Sequence, residues 1–340
     1  MVPSIRYSIF SFLVVATFSI CHDLAAEPNA CKTCICNKKE KLPTCSAEKQ
    51  SAFVFIPEGS FDMGDFFAER NPDERPVHSI YLRSYWIQQT EVTFAEWVRV
   101  RKWAIKNGYD FDFDGAGKAD DHPVHSINWY DVVKWCNARS EMEQRLPAFY
   151  SDSTLQIVYR RGRFDLAAEQ VNWHSDGYRL PTEAEWEKAA RGGKLRNRFP
   201  WGNEIGHQAA NYKSSAEFAY DVSDTRGRHP KYHFGERPFT SPVGSFPPNA
   251  YGLFDTSGNV WEWCWDWYDP HQYQTLESTQ PNTRGSPKPG EYRVIRGGGW
   301  SSEPRNLRCA VRDHGKMAIG VQDRGLRLVR SASNHENQLE

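Results

Sequence analysis

The sequence predicts a loop-rich fold of mixed strands and helices, held by large flat side chains. Three observations carry this. Aromatic residues make up 14% of the chain, with 13 Trp beside 24 Gly and 20 Pro, a composition that argues against a helical bundle. Trp261, Trp263, Trp265 and Trp267 stand at every second position, the period of a β-strand. Helix-start signals at Thr93, Asn128 and Thr182 are interspersed with short aromatic and β-branched runs. A chain of 340 residues holds one large domain or two ordinary ones and is long enough to bury a sizeable core.

The first residues read as a targeting segment. Arg6, the mostly apolar run Ile9–Ile20 and the small-residue site Leu24-Ala25-Ala26 predict a signal peptide over 1–26. The run is too short to span a bilayer comfortably, and Ile20 is bulky for a lipid-processing site before Cys21. The mature chain is therefore expected to be secreted or periplasmic, with no integral membrane segment and with disulfides permitted. Of eight cysteines, Cys31, Cys34, Cys36 and Cys45 crowd a Lys-rich tether over 27–51, where two local disulfides are expected. Their spacing is a poor match to a four-cysteine metal site. Cys136, Cys264 and Cys309 remain, and one pair plus one buried thiol is expected, with Cys264–Cys309 the favoured pair.

Along the body, Phe53–Ile56 reads as a strand followed by a turn at Pro57-Glu58-Gly59, and residues 77–82 and 85–87 as a hairpin. Thr93 caps a helix running to Lys106, and Asn128 opens another with Val132, Val133 and Cys136 on its inner side. Residues 140–175 predict an elaborated loop with a short hairpin around 157–159. Thr182 with Glu185 forms a capping box, and the helix they start ends at Gly192-Gly193. Strand 292–296 precedes Gly297-Gly298-Gly299, and a polar tail occupies 332–340.

The chemistry-bearing candidates are few. A net charge of −1 makes no general case for nucleic acid or an anionic membrane surface. No nucleophile elbow, phosphate-binding loop, dinucleotide fingerprint or paired-histidine metal motif is present. His78, His122, His125, His174 and His207 are scattered and read as ordinary histidines. Residues 110–121 imitate an EF-hand loop but carry Gly117 and Asp121 at its eighth and twelfth positions. His122-Pro123 prevents the exit helix, so a solvated acidic loop is expected. The Trp-rich strand is different. Core strands carry apolar residues on the second face, whereas here Glu262, Cys264 and Asp266 share it. Asp255 and the turn Ser257-Gly258-Asn259 precede it, which lets Asp255 and Glu262 bracket a hard cation with carbonyl oxygens between them.

Gly59-Ser-Phe-Asp-Met-Gly64, Glu91-Val-Thr93, Tyr178-Arg-Leu-Pro-Thr-Glu-Ala-Glu-Trp186, Pro200-Trp-Gly202, Asn249-Ala-Tyr-Gly-Leu253, Gly258-Asn-Val-Trp-Glu-Trp263, Arg296-Gly-Gly298 and Gly325-Leu-Arg327 follow in order. Together they closely resemble the sulfatase-modifying factor family, founded on the formylglycine-generating enzyme, over residues 52–331 as one domain. The resemblance implies an irregular α+β fold, C-type-lectin-like, with bound calcium. On it, Asn211 (side chain) and Tyr212 (carbonyl) match a first calcium site whose other ligands fall in the divergent segment 214–236. Asp255, Gly258, Val260 and Glu262 match a second. The family oxidises a substrate cysteine to formylglycine with copper held by two cysteines. Ser302 stands at the first cysteine position, Gly299 where the family has serine, and no cysteine is available for the second. Trp261, which lines the oxygen pocket of active members, is retained. The resemblance also matches Cys309 and Cys136 to disulfide-bonded cysteines whose partner positions are Ala190 and Leu328 here. Trp261, Gly299, Ser301 and Ser302 are thus expected to form a degenerate pocket, with copper not expected because Cu(I) wants thiolates. What remains is an exported, calcium-stabilised scaffold or binding module for a protein, peptide or glycan. The alternative is an oxidoreductase of the formylglycine-generating or siderophore-maturation type acting on a protein or peptide.

Overall fold

The computed structural model describes residues 53–69 and 71–332. The expected signal peptide, the tether with its four cysteines and the tail from residue 333 lie outside the described residues. Short strands and three helices alternate: β1 (Phe53–Ile56), β2 (Gly59–Met63), β3 (His78–Leu82), β4 (Tyr85–Gln88), α1 (Phe94–Lys106), α2 (Trp129–Met142) and α3 (Glu183–Arg191). Then come β5 (Lys213–Ser214), β6 (Gly227–Arg228), β7 (Trp261–Trp267), β8 (Tyr292–Arg296), β9 (Asp313–Lys316), β10 (Arg324–Gly325) and β11 (Val329–Ser331). They form a four-stranded sheet β10-β7-β8-β9, a three-stranded sheet β1-β4-β11 and two ribbons, β2-β3 and β5-β6. No described helix is long and apolar enough to cross a membrane.

The helix starts lie where the local hydrogen bonding puts them. Thr93 accepts from the Glu96 amide and Asn128 from the Asp131 amide. Thr182 and Glu185 close a reciprocal box, and Gly192 ends α3 in the left-handed conformation. Strand pairing departs from expectation. Residues 77–82 and 85–87 do not form a hairpin: β3 pairs with β2, and β4 with β1 and β11. Alternation predicts a strand but not which edge it joins. The hairpin expected around 157–159 reduces to isolated bridges, Tyr150 to Val158 and Phe149 to Val171. In the 110–121 loop, Asp110 takes the Lys134 ammonium at 2.6 Å and Asp112 the Arg163 and Asn128 side chains at 2.8 Å each. Asp114 pairs with Arg101. The acids turn outward to separate bases rather than toward one ion.

β7 is the spine. All seven of its residues are buried. Trp263, Trp265 and Trp267 enter the main core, where Trp265 lies 5.8 Å from the Trp129 and Phe149 rings and 5.4 Å from Trp173. On that face the Arg293 guanidinium stacks 3.4 Å from the Trp267 ring centre and 4.0 Å from that of Trp129. Its donors reach the carbonyls of Trp265 and Leu166. The other face meets α3, whose Glu183, Glu185 and Glu187 are buried with the rest of the helix. Each meets an arginine: Glu183 with Arg312 at 2.7 Å, Glu185 with Arg179 at 2.6 Å, and Glu187 with Arg296 and Arg191. Cys136, Cys264 and Cys309 are buried free thiols. The expected Cys264–Cys309 bond is therefore not formed, and neither thiol lacks other company. Cys264 sits among Trp186, Ala190 and Val294, whereas Cys309 lies beside Arg191, Glu187 and Arg296.

Candidate functional site

The turn after β8 carries three of the four residues expected to line the degenerate pocket, Gly299, Ser301 and Ser302. The Gly299 amide donates to Ser302 Oγ at 3.0 Å, and the Ser302 amide donates back to the Gly299 carbonyl at 2.9 Å. The Ser302 hydroxyl is thereby tied into its own turn and only 7% exposed. Ser301 Oγ donates to Asp323 at 3.4 Å, and the Trp261 amide to the Asp323 carbonyl at 2.7 Å. A side chain at 299 would meet both Asp323 and Trp261 at 3.3 Å, so glycine lets the three approach. The structure places Trp261, Gly299, Ser301 and Ser302 around one turn, together with Asp323, which the sequence reading missed.

This donor set does not fit copper. It offers hydroxyls and one carboxylate, whereas Cu(I) is held by soft sulfur. The Cys264 thiol is pushed well above its ordinary pKa by burial and then by Asp266, and that of Cys309 to about 11 by burial. Both belong to the α3 side of the core. A groove of about 360 Å³ between Asn71, Pro72, Arg75 and Gln274 is lined by none of Trp261, Gly299, Ser301 and Ser302.

The second candidate lies at the start of β7. Asp255 and Asn259 adopt positive φ of 55° and 61° and bend the turn. Gly258 is required there: a Cβ would stand 2.4 Å from the Asn211 carbonyl oxygen, which also accepts the Asn259 amide at 2.9 Å. The two expected metal-site segments therefore touch. Glu262, however, is already engaged. Arg327 donates to its carboxylate at 2.7 to 3.1 Å and Trp186 Nε1 at 2.7 Å. Arg327 spends its other donors on the carbonyls of Gln88, Gln89 and Phe254, tying β4 and the 249–254 turn to β7.

Beside this pair stands an acid that sequence reasoning left as a motif letter. Glu91 is fully buried and its carboxylate faces that of Asp255 within reach of a shared proton, with no side-chain donor from elsewhere in the chain. Asp255 accepts the Gly244 amide at 2.6 Å through Oδ2, while Oδ1 is buried and meets no donor from elsewhere in the chain. Burial first, and then Asp255, drives the Glu91 pKa well above its usual value. Burial raises Asp255 to about 6 against the opposing pull of the Gly244 amide and Arg327. Three carboxylates here face one guanidinium. Among the described residues no group of three His, Cys, Asp or Glu is arranged to hold a metal ion, so a cation would need carbonyl oxygens beside Asp255. At the other expected site, Asn211 donates to the Phe239 carbonyl at 2.9 Å. Asp221, which lies in the divergent segment, accepts from Tyr212 Oη at 2.7 Å and from the Ser215 and Ser223 amides. Its oxygens are taken by the protein itself.

Residues 38–332 match the sulfatase-modifying factor enzyme 1-like domain. The chain is 35% identical over 280 residues to a formylglycine-generating enzyme of Streptomyces coelicolor, covering 77% of this chain and 82% of that protein. It is 32% identical over 258 residues to the chaperone protein LppX of Paenibacillus barcinonensis, covering 74% and 82% respectively. Treponema denticola variable protein 1 has the same fold, with a TM-score of 0.62 at 25% identity over 82% of this chain and 95% of that one. Fold, ordered motifs and matched length agree: the chain belongs to the sulfatase-modifying factor enzyme 1-like family.

Proposed function

We propose that this protein is an exported binding module of its family, braced by calcium and without formylglycine-generating activity. One observation carries the reading: Ser302, at the position where the family carries its first copper-binding cysteine, bonds back to Gly299 and leaves only hydroxyls and Asp323 around Trp261. Replacing thiolates by hydroxyls removes both the soft metal donors and the sulfur that would capture a thiol substrate. A relative named as a chaperone supports a role in which the fold holds another molecule rather than oxidising it. The occupant in this reading is a protein, peptide or glycan met outside the cytoplasm. The relatives named formylglycine-generating enzyme favour the second reading, an oxidoreductase acting on a protein or peptide.

The calcium part is supported by Glu91 and Asp255. Two buried carboxylates facing each other beside a single arginine favour either a shared proton or a divalent cation. Asp255, with the carbonyls of Gly258 and Val260, would hold the ion, and Glu262 would contribute charge through its bond to Arg327. When bound, the ion neutralises the acids and fixes the turn ahead of β7.

The experiment is direct. Purified protein is loaded with Cu(I) and incubated aerobically with a Cys-x-Pro-x-Arg peptide. No aldehyde is the expected outcome, whereas aldehyde formed in proportion to protein supports the oxidoreductase reading and overturns this one.

A further inference from the structure

Most buried arginines of this protein are matched to acids, among them Arg179, Arg191, Arg296, Arg308, Arg312 and Arg327. Arg228 is not. It stands on β6 opposite Lys213, whose amide donates to the Ser302 carbonyl at 2.9 Å, so the β5-β6 ribbon is fastened to the pocket turn. Its guanidinium carbon lies 4.8 Å from the Trp300 ring centre and 5.0 Å from that of Phe239. The two rings meet edge to face at 5.3 Å. Arg228 Nη1 is buried without a hydrogen-bond partner, and no described carboxylate forms an ion pair with this residue. Exposed Lys118 adds a second cation, its ammonium 5.6 Å from the Phe239 ring. Arg237 is close enough that, after burial, it is what lowers the Arg228 pKa.

A half-buried guanidinium with an unmet donor is costly, and two aromatic faces offset only part of that cost. An oxyanion would complete it, because the planar fork of arginine matches carboxylate, sulfate and phosphate oxygens with charge-assisted bonds. We propose that Arg228, held between Phe239 and Trp300 with Lys118 against the same Phe239 ring, forms an anion subsite next to the Ser301–Ser302 turn. It takes the oxyanion group of a ligand lying across Trp300. The proposal deepens the binding-module reading by naming the charge of the ligand. The subsite can be titrated without any macromolecular partner, so the two readings fail separately.

The indole N–H of Trp300, assigned by comparison with Trp300→Phe, is followed by NMR. Sulfate, phosphate and N-acetylglutamate are titrated separately at constant ionic strength. Saturable shifts with at least one anion are expected, and the tightest binder tells an inorganic oxyanion from a carboxylate. Arg228→Gln should weaken that binding roughly tenfold or more, the size expected for losing charge-assisted hydrogen bonds. Lys102→Gln, the same charge change on α1, should leave it unaltered. If Arg228→Gln lowers the melting temperature, Lys118→Gln replaces it, with a smaller loss of affinity expected. Non-saturating shifts with all three anions overturn the proposal. So does unchanged affinity in a folded Arg228→Gln, or in Lys118→Gln where that variant stands in.

Discussion

On one side of β7, the acids of α3 meet their arginines. At the turn before the strand, Glu91 and Asp255 instead share Arg327 with Glu262. Both regions are buried and use the same residue types. In the first, burial opposes ionisation of Glu187, but Arg191 and Arg296 outweigh it and its pKa lies below the usual value. In the second, burial wins and Glu91 is driven up. The difference separates cement from a candidate site. A balanced buried network fixes one arrangement of β7, β8 and α3, whereas an unbalanced one has room for something the chain does not itself supply.

The largest effect should come from breaking the balanced side. Arg296→Met leaves Glu187 buried without one of its two cations, and denaturant unfolding should show a loss of about 3–5 kcal/mol. Adding Glu187→Leu to that variant should recover part of the loss. A double variant as unstable as the sum of the single changes would show that the two residues act independently.

A smaller effect is expected at the unbalanced side. Asp255→Asn removes one of three clustered charges, so in chelator this variant should melt no lower than the parent. It should also gain less from added calcium. Melting well below the parent in chelator would show that Asp255 is paired by the chain after all.

The smallest concerns pH. Asp266 accepts the Glu183 amide at 2.7 Å; burial, followed by the charge of Glu183, lifts its pKa to about 7. The folded chain therefore holds this proton more tightly than the unfolded chain, whose aspartates titrate near ~3.9. Stability from this group is full below about pH 4 and is lost as pH rises towards 7. Asp266→Asn should flatten the slope over that window, by on the order of 1–3 kcal/mol between its ends. A slope equal to that of the parent would assign the titration to another group.

What the sequence made legible was local. The caps at Thr93, Asn128 and Thr182 are three-residue hydrogen bonds, and the alternating tryptophans fix the faces of β7, so all were readable from spacing. The motif letters gave the family and the place of Ser302. Pairing across distance was not legible. Glu183 and Arg312 are 129 residues apart, and Arg327 reaches Glu262 across 65. Of the α3 acids, only Glu185 gave a signal, as the partner of Thr182 in the capping box. Glu91 gave no local signal, since only the folded chain sets it beside Asp255. The Cys264–Cys309 pairing failed for a similar reason: counting thiols says nothing about the direction in which each side chain points.

Calorimetric titration of chelator-stripped protein with calcium tests most directly whether the excess of buried acid marks a cation site. One calcium per chain is expected at the Asp255 turn, with affinity reduced in Asp255→Asn. Melting should rise by roughly 5–10 °C at about a hundredfold excess over the dissociation constant. No heat of binding and no shift in melting, in protein shown to be metal-free, would contradict the account.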